Sequence, residues 1–170
     1  MKKIYFAKVN ERAILPNKRK EDAGYDLFAC FDDDYMILAP FETKPIPTGI
    51  AWACNPKFYM QIEERSSTGS KGIKRSAGVI DSGYRGEIKA CIFNATGVNL
   101  IFSNLDEESF KEKYPRLTKE KYHFHHTSKA IAQGIIHKIE HLKTKELSYE
   151  ELCNIKSSRG KGGFGSTNKK

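Results

Sequence analysis

An all-β fold, a sandwich or barrel of short strands, is what this sequence predicts. Apolar or alternating runs of strand length recur along the chain, turns rich in Pro, Asn and Gly separate them, and there are no long repeats or low-complexity stretches. With 170 residues and 39% hydrophobic content, the chain is large enough for one domain with a buried core.

Taken in order, Met36 to Ala39, Gly49 to Ala53 and Phe58 to Ile62 each read as a strand, being short and apolar or alternating. A hairpin follows. Residues 76 to 94, SAGVIDSGYRGEIKACIFN, put Asp81 on a turn that leads into the alternating run Glu87 to Phe93, with Tyr84 and Gly86 beside it. Gly78, Gly83 and Gly86 permit close backbone approach, so a flat ligand is expected against main-chain groups next to the Asp81 carboxylate. Two segments break the β rhythm. Asp106 to Tyr114 is charged, with Phe110 and Tyr114 four apart, and predicts a short amphipathic helix; Leu147 to Ile155 predicts another. In His123-Phe124-His125-His126, strand period would put His123 and His125 on one side, yet no Cys or carboxylate pattern accompanies them, so packed or exposed histidines are expected in preference to a metal site. His137 and His141 are read in the same way.

Composition narrows the partners. The net charge of +8 favours a polyanion, polymer or nucleoside triphosphate. Lys18-Arg19-Lys20 and Lys169-Lys170 read as solvated runs, and no basic helix or aromatic-basic platform supports nucleic-acid binding. Apolar runs are too short for a membrane helix, and Met1 to Phe6 lacks a signal-peptide apolar core, so a soluble protein of the cytoplasm, bacterial or of a virus-infected host, is expected. Cys30, Cys54, Cys91 and Cys153 have no CxxC spacing and read as reduced thiols.

Five short segments stand in a fixed order: Ala23-Gly24-Tyr25-Asp26-Leu27; Arg65-Ser66-Ser67 with Lys71-Gly72-Ile73; residues 76 to 94; Ile131-Ala132-Gln133; and Arg159-Gly160-Lys161-Gly162-Gly163-Phe164-Gly165-Ser166-Thr167. Together they resemble the five ordered motifs of the trimeric dUTPases. The resemblance implies a jelly-roll-like β-barrel assembling as a homotrimer, with each site built from several subunits. It also implies one dUTPase-like domain over residues 1 to 170, an insertion at about 95 to 129 between motifs three and four, and a mobile C-terminal arm at about 156 to 170. The insertion is expected to be an elaborated surface loop or, less favoured, a surface for a protein partner.

The implied reaction is hydrolysis of dUTP to dUMP and pyrophosphate, which limits uracil in DNA and supplies dUMP. A triphosphate repels nucleophiles, so its catalyst must neutralise phosphate charge and align an activated water. By resemblance, Asp81 activates the water that attacks the α-phosphorus. Tyr84 offers an apolar face to deoxyribose, leaving a ribose hydroxyl without a partner. The hairpin near Lys89 reads uracil through its backbone, with Val79 and Ile80 lining the pocket. Arg65, Ser66, Ser67 and Gln133 supply charge and donors to the phosphates. In the tail, Arg159, Gly165, Ser166 and Thr167 would close over the terminal phosphate while Phe164 stacks on uracil. Mg2+ is the implied ion, with no direct protein ligand and Asp26 as the candidate outer-shell contact or as a salt-bridge partner of an arginine.

The chain departs from the family pattern in several places. Arg65-Ser66-Ser67-Thr68-Gly69 replaces the common Arg-Ser-Gly-Leu-Ala, and Ser128-Lys129-Ala130 replaces Gly-Asp-Arg or Gly-Glu-Arg; motif five ends in Asn168 instead of Gly. Two other readings are weaker. The related dCTP deaminases carry a catalytic Glu where this chain has Cys91, and a thiol cannot take over a carboxylate's proton shuttling. A regulatory protein of the same fold would bind a macromolecule through the 95 to 129 segment.

Overall fold

The computed structural model describes residues 3 to 162. The chain divides into two compact units, Met1–Ile139 and Glu140–Lys170. The first is almost entirely β. Its strands are β1 (Ile4–Lys8), β2 (Gly24–Phe28), β3 (Tyr35–Leu38), β4 (Thr43–Pro47), β5 (Ile50–Cys54), β6 (Phe58–Glu63), β7 (Ile73–Ala77), β8 (Val79–Ile80), β9 (Lys89–Asn94), β10 (Asn99–Ser103), β11 (Tyr122–His126) and β12 (Ala130–Lys138). They pair in the orders β1-β5, β11-β10-β3, β2-β12-β6-β8 and β4-β9-β7. All pairings are antiparallel except β10 with β11.

The four strands read from the sequence appear as β3, β5, β6 and β9, each within two residues of the expected bounds. Alternation explains them. On β6, Met60 and Ile62 are buried while Gln61 and Glu63 face away, and on β9 Ala90, Ile92 and Asn94 are buried in turn. Leu27, Leu38, Ile46, Ile50, Trp52, Met60, Ile92 and Phe102 meet in one core to which three of the four sheets contribute through several strands and the β1-β5 ribbon through β5. Asn94 is buried with them, and its amide donates to the carbonyls of Leu38, Ala39 and Val98 while its Oδ1 accepts from Thr96. A polar side chain at the core is tolerated because every group on it is bonded.

The 95 to 129 stretch is more than a surface loop. Its first part is β10, whose Leu100, Ile101 and Phe102 are fully buried, because the apolar run there has the length and composition of a core strand. Helix α2 (Glu107–Lys113) follows. Asp106 caps it by accepting from the Glu108 and Ser109 N–H groups, acidic residues fill its first turn and lysines its last, and Phe110 is its buried anchor. Phe110 packs among Tyr35, Tyr114 and Phe124, with ring centroids 5.1 to 5.7 Å away. Lys113 and the Tyr114 hydroxyl both donate to Asp34 at 2.5 Å, holding its carboxyl below the usual range. Strand β11 then runs parallel to β10, with Thr127 N–H donating to the Ser103 carbonyl at 2.9 Å.

In the second unit, α3 (Tyr149–Cys153) begins at a capping box formed by Ser148 and Glu151 and buries none of its residues. Lys161 lies over the Tyr149 ring, 5.0 Å from its centroid. No helix among the described residues is long and apolar enough to cross a membrane. All four cysteines are free.

Candidate active site

The predicted site residues of the first unit fall into two cavities. One, of about 240 Å3, is lined by Val79, Ile80, Asp81, Tyr84, Glu87 and Lys89. The other, of about 660 Å3, contains Arg65, Ser66, Ser67, Gln133 and Asp26. Strand register explains the separation. Ile80 lies opposite Met60 and Ile136, whereas Gln133 lies opposite Glu63, so the two are two strands and three residues apart, roughly 14 Å at ordinary sheet spacings.

The smaller cavity is a loop held by main-chain contacts. After β8, Tyr84 N–H donates to the Asp81 carbonyl at 3.1 Å, and the Tyr84 hydroxyl to the Glu87 carbonyl at 3.1 Å. The loop is tied to the β4–β5 turn on three counts: Gly49 N–H donates to Glu87 Oε1 at 2.7 Å, the Thr48 hydroxyl to the Ile88 carbonyl at 2.6 Å, and Ile88 N–H to the Ile50 carbonyl at 2.7 Å. Val79 and Tyr84 remain 63% and 46% exposed beside the Asp81 carboxylate, an apolar surface that a sugar or base could cover. The glycines serve the protein more than a ligand. A Cβ on Gly86 would lie 2.4 Å from the Tyr84 hydroxyl, and one on Gly78 would lie 2.6 Å from the Ile62 carbonyl, so both are consumed by packing; Gly83 alone faces open space.

The larger cavity is charged. Arg65 Nε meets Asp26 Oδ1 at 3.1 Å, with both side chains about one third exposed. Asp26 is therefore first of all the partner that orients Arg65. The short helix α1 (Ser66–Gly69) starts there, and the N–H groups of Ser66 and Ser67 in its first turn have no acceptor within the helix. Gln133 Nε2 donates to the Glu64 carbonyl at 2.9 Å, which fixes the amide while leaving its second hydrogen. Gly24 makes this possible, because a Cβ there would lie 2.7 Å from Gln133 Oε1.

Sequence reasoning missed part of this wall. Lys18 and Arg19, read as a solvated run, line the cavity with Asn17 and Asp22; Lys18 Nζ donates to the Asp22 carbonyl at 2.6 Å, and Arg19 pairs with Asp22 at 3.1 Å. Their closeness in sequence to the Asp26 motif was the available signal. Glu87 was missed too, since nothing local reveals a partner as distant in sequence as Gly49.

Among the described residues, no three His, Cys, Asp or Glu side chains converge as a metal site. His125 is buried, and its Nε2–H donates to the Lys129 carbonyl at 3.0 Å. The donor set fits an ion carried by a polyphosphate and reached through water, with Asp26 and Asp22 as the nearby acids. Arg159 belongs to the second unit, where its Nε donates to the Gly162 carbonyl at 2.7 Å. Phe164, Gly165, Ser166 and Thr167 lie outside the described residues.

A family model described as dUTPase matches residues 10–105. The chain is 33% identical over 171 aligned positions to a deoxyuridine 5'-triphosphate nucleotidohydrolase of Nautilia profundicola, covering 98% of this chain and 99% of that protein. A protein of the same name from Clostridioides difficile is 34% identical, with 94% of each covered. Among solved structures, the Staphylococcus bacteriophage 80alpha dUTPase with dUPNHPP superposes with a TM-score of 0.71 at 24% identity, covering 96% of this chain and 97% of that one. A mutant dUTPase from phage phi11 of S. aureus, in which a structural Mg(II) ion is coordinated, gives a TM-score of 0.66 at 22% identity, covering 86% and 97%. At these identities the structural likeness shows the fold.

Proposed function

The chain belongs to the dUTPase family and hydrolyses dUTP to dUMP and pyrophosphate, and we propose that its two cavities are halves of one active site that meet across subunits of a homotrimer. The observation that carries this reading is the placement of Asp81 and Tyr84 in one cavity and of Arg65, Ser66, Ser67 and Gln133 in another. A nucleotide needs both, and one chain offers them in separate cavities, whose lining residues Ile80 and Gln133 lie about 14 Å apart across the sheet.

Asp81 accepts a proton from the attacking water, which adds to the α-phosphorus as pyrophosphate departs. Arg65, with the Ser66 and Ser67 donors and Gln133, receives the charge that accumulates on the phosphate oxygens. Tyr84 packs on the deoxyribose, with its ring angle set by the bond to the Glu87 carbonyl. Val79, Ile80 and the backbone near Lys89 enclose the base. Bound with the triphosphate, Mg2+ supplies charge neutralisation, and Asp26 would hold it through water. Arg159 and residues 164 to 167 close over the phosphates and base from a neighbouring subunit. Deamination is not favoured, because Cys91 occupies the place of the carboxylate that it requires.

The test mixes two inactive proteins. Asp81→Asn and Arg65→Ala chains, each inactive alone, should recover activity when subunits exchange, to about one quarter of the parent level for random assembly of two-subunit sites. Demonstrated exchange without recovery would refute the divided site, and parallel assays of each deoxynucleoside triphosphate would show whether dUTP alone is consumed.

A further inference from the structure

A third cavity, of about 600 Å3, adjoins the phosphate-side one and shares Asp26, Arg65 and Ser67 with it. Its remaining polar wall is made of Thr68, Lys71, His123, His125, Ser128 and Lys129. Three cations thus face one carboxylate, and that carboxylate is already paired with Arg65. Among the described residues, neither Lys71 nor Lys129 pairs with an acidic side chain.

The cations are delivered by rigid elements. Lys129 stands on a tight turn: its N–H donates to the His126 carbonyl at 2.9 Å, its carbonyl accepts from His125, and His126 Nδ1 accepts from Ser128. Lys71 follows α1, with its N–H on the Thr68 carbonyl at 3.0 Å. Burial is the main reason that His125 is held below the ordinary imidazole range; the bond to the Lys129 carbonyl opposes this, and the charges of Lys129, Lys71 and Arg65 reinforce it. That imidazole thus feels the same three cations that line the cavity. Lys129 also stands where motif four of the family has an acidic residue and Ala130 where it has an arginine, so a single lysine charge here replaces an acidic and basic pair.

We infer that this cavity is a second anion site that takes a small phosphate-class oxyanion, pyrophosphate in particular, alongside a nucleotide held in the neighbouring cavity. Tetrahedral oxyanions accept several hydrogen bonds at once, and lysines bind them as point charges. The choice of pyrophosphate rests on the dUTP hydrolysis described above, which releases that anion one cavity away. A product parked there would leave the active site without entering solvent directly.

The test is calorimetric titration of pyrophosphate into the full-length protein with a chelator present, first alone and then with the active site saturated by a non-hydrolysable dUTP analogue. One pyrophosphate per subunit should still bind in the saturated protein, weakening with added salt. The Lys71→Gln/Lys129→Gln double variant should lose about tenfold or more of that affinity and keep its affinity for the analogue. Both lysines are exposed, so the fold should survive; if the double variant unfolds, Lys71→Glu alone should show the same loss. Displacement of all pyrophosphate by the analogue, absence of binding, or unchanged affinity in the variants would overturn the site. A parent that binds pyrophosphate through these lysines but does not cleave dUTP would instead overturn the catalytic reading alone.

Discussion

Replacing Glu87 by Ala should loosen the loop that carries Asp81 and Tyr84 without touching either. In the folded protein, Glu87 Oε1 accepts the Gly49 N–H at 2.7 Å, one of two side-chain links between this loop and the β4–β5 turn. A hydrogen bond to a charged group contributes about 1.5–3 kcal/mol, and the partial exposure of Glu87 favours the lower end. The remaining ties, through Thr48 and the Ile88 N–H, keep the base of the hairpin in place, so the loss falls on positioning at its tip. About 1.5 kcal/mol corresponds to roughly a tenfold fall in kcat/KM for dUTP, measured by pyrophosphate release. Glu87→Gln retains an acceptor and should stay within about threefold of the parent. Unchanged kcat/KM in the Ala variant, or a Gln variant as impaired as Ala, would refute positioning through this bond.

Asp81→Asn should keep nucleotide binding and lower kcat by about a hundredfold or more, the scale of a lost general base; near-parental turnover in the folded variant would remove Asp81 from the chemistry. Tyr84→Ala should narrow the preference for dUTP over UTP, as read from the ratio of their kcat/KM values. Phe110→Ala removes a fully buried ring and should cost about 3–5 kcal/mol in denaturant unfolding while leaving kcat near the parent value, because α2 lines neither half of the site. Asp34 is held by Lys113 and then by Tyr114, so its carboxyl titrates lower in the folded chain than in the unfolded one. The stability it lends is present above the unfolded carboxylate range, near pH 4, and is lost as pH falls through its depressed folded value. The difference in melting temperature between the parent and Asp34→Asn should accordingly shrink between pH 6 and pH 3.

Strands were legible where one face is buried. The apolar residues of β6 and β9 alternate, and that period fixes both conformation and face. Helix α2 was legible from its cap, its charges and the four-residue step from Phe110 to Tyr114. What could not be read is whatever depends on pairing between distant segments. The apolar run of β10 has the length of a core strand, but its place beside β3 and the parallel course of β11 follow only from pairing with distant segments. The candidate site residues were read from short motifs, but their division between two cavities is a property of register across β8, β6 and β12, to which the motifs are blind. Gly86 shows the same limit: its need for a missing side chain was legible, while the reason, the ring of Tyr84, was not.

The hydrogen bond between Thr127 and Ser103 marks a place where the chain returns to where it left. After Ser103 the backbone departs, builds α2 and β11, and comes back to the same point just before β12. The span between is a closed excursion, and lengthening or shortening such a loop costs only a slowly growing closure entropy. Its length is therefore free to drift over generations while the frame that holds Gln133 against Asp26 stays fixed. A deletion joining Ser103 to Thr127 would demand no rebuilding of β12; it would uncover the side of β10 that faces away from the core, and a polar replacement at Ile101, opposite Phe124 and outside the core cluster, would be the first change that such a shortened descendant needs.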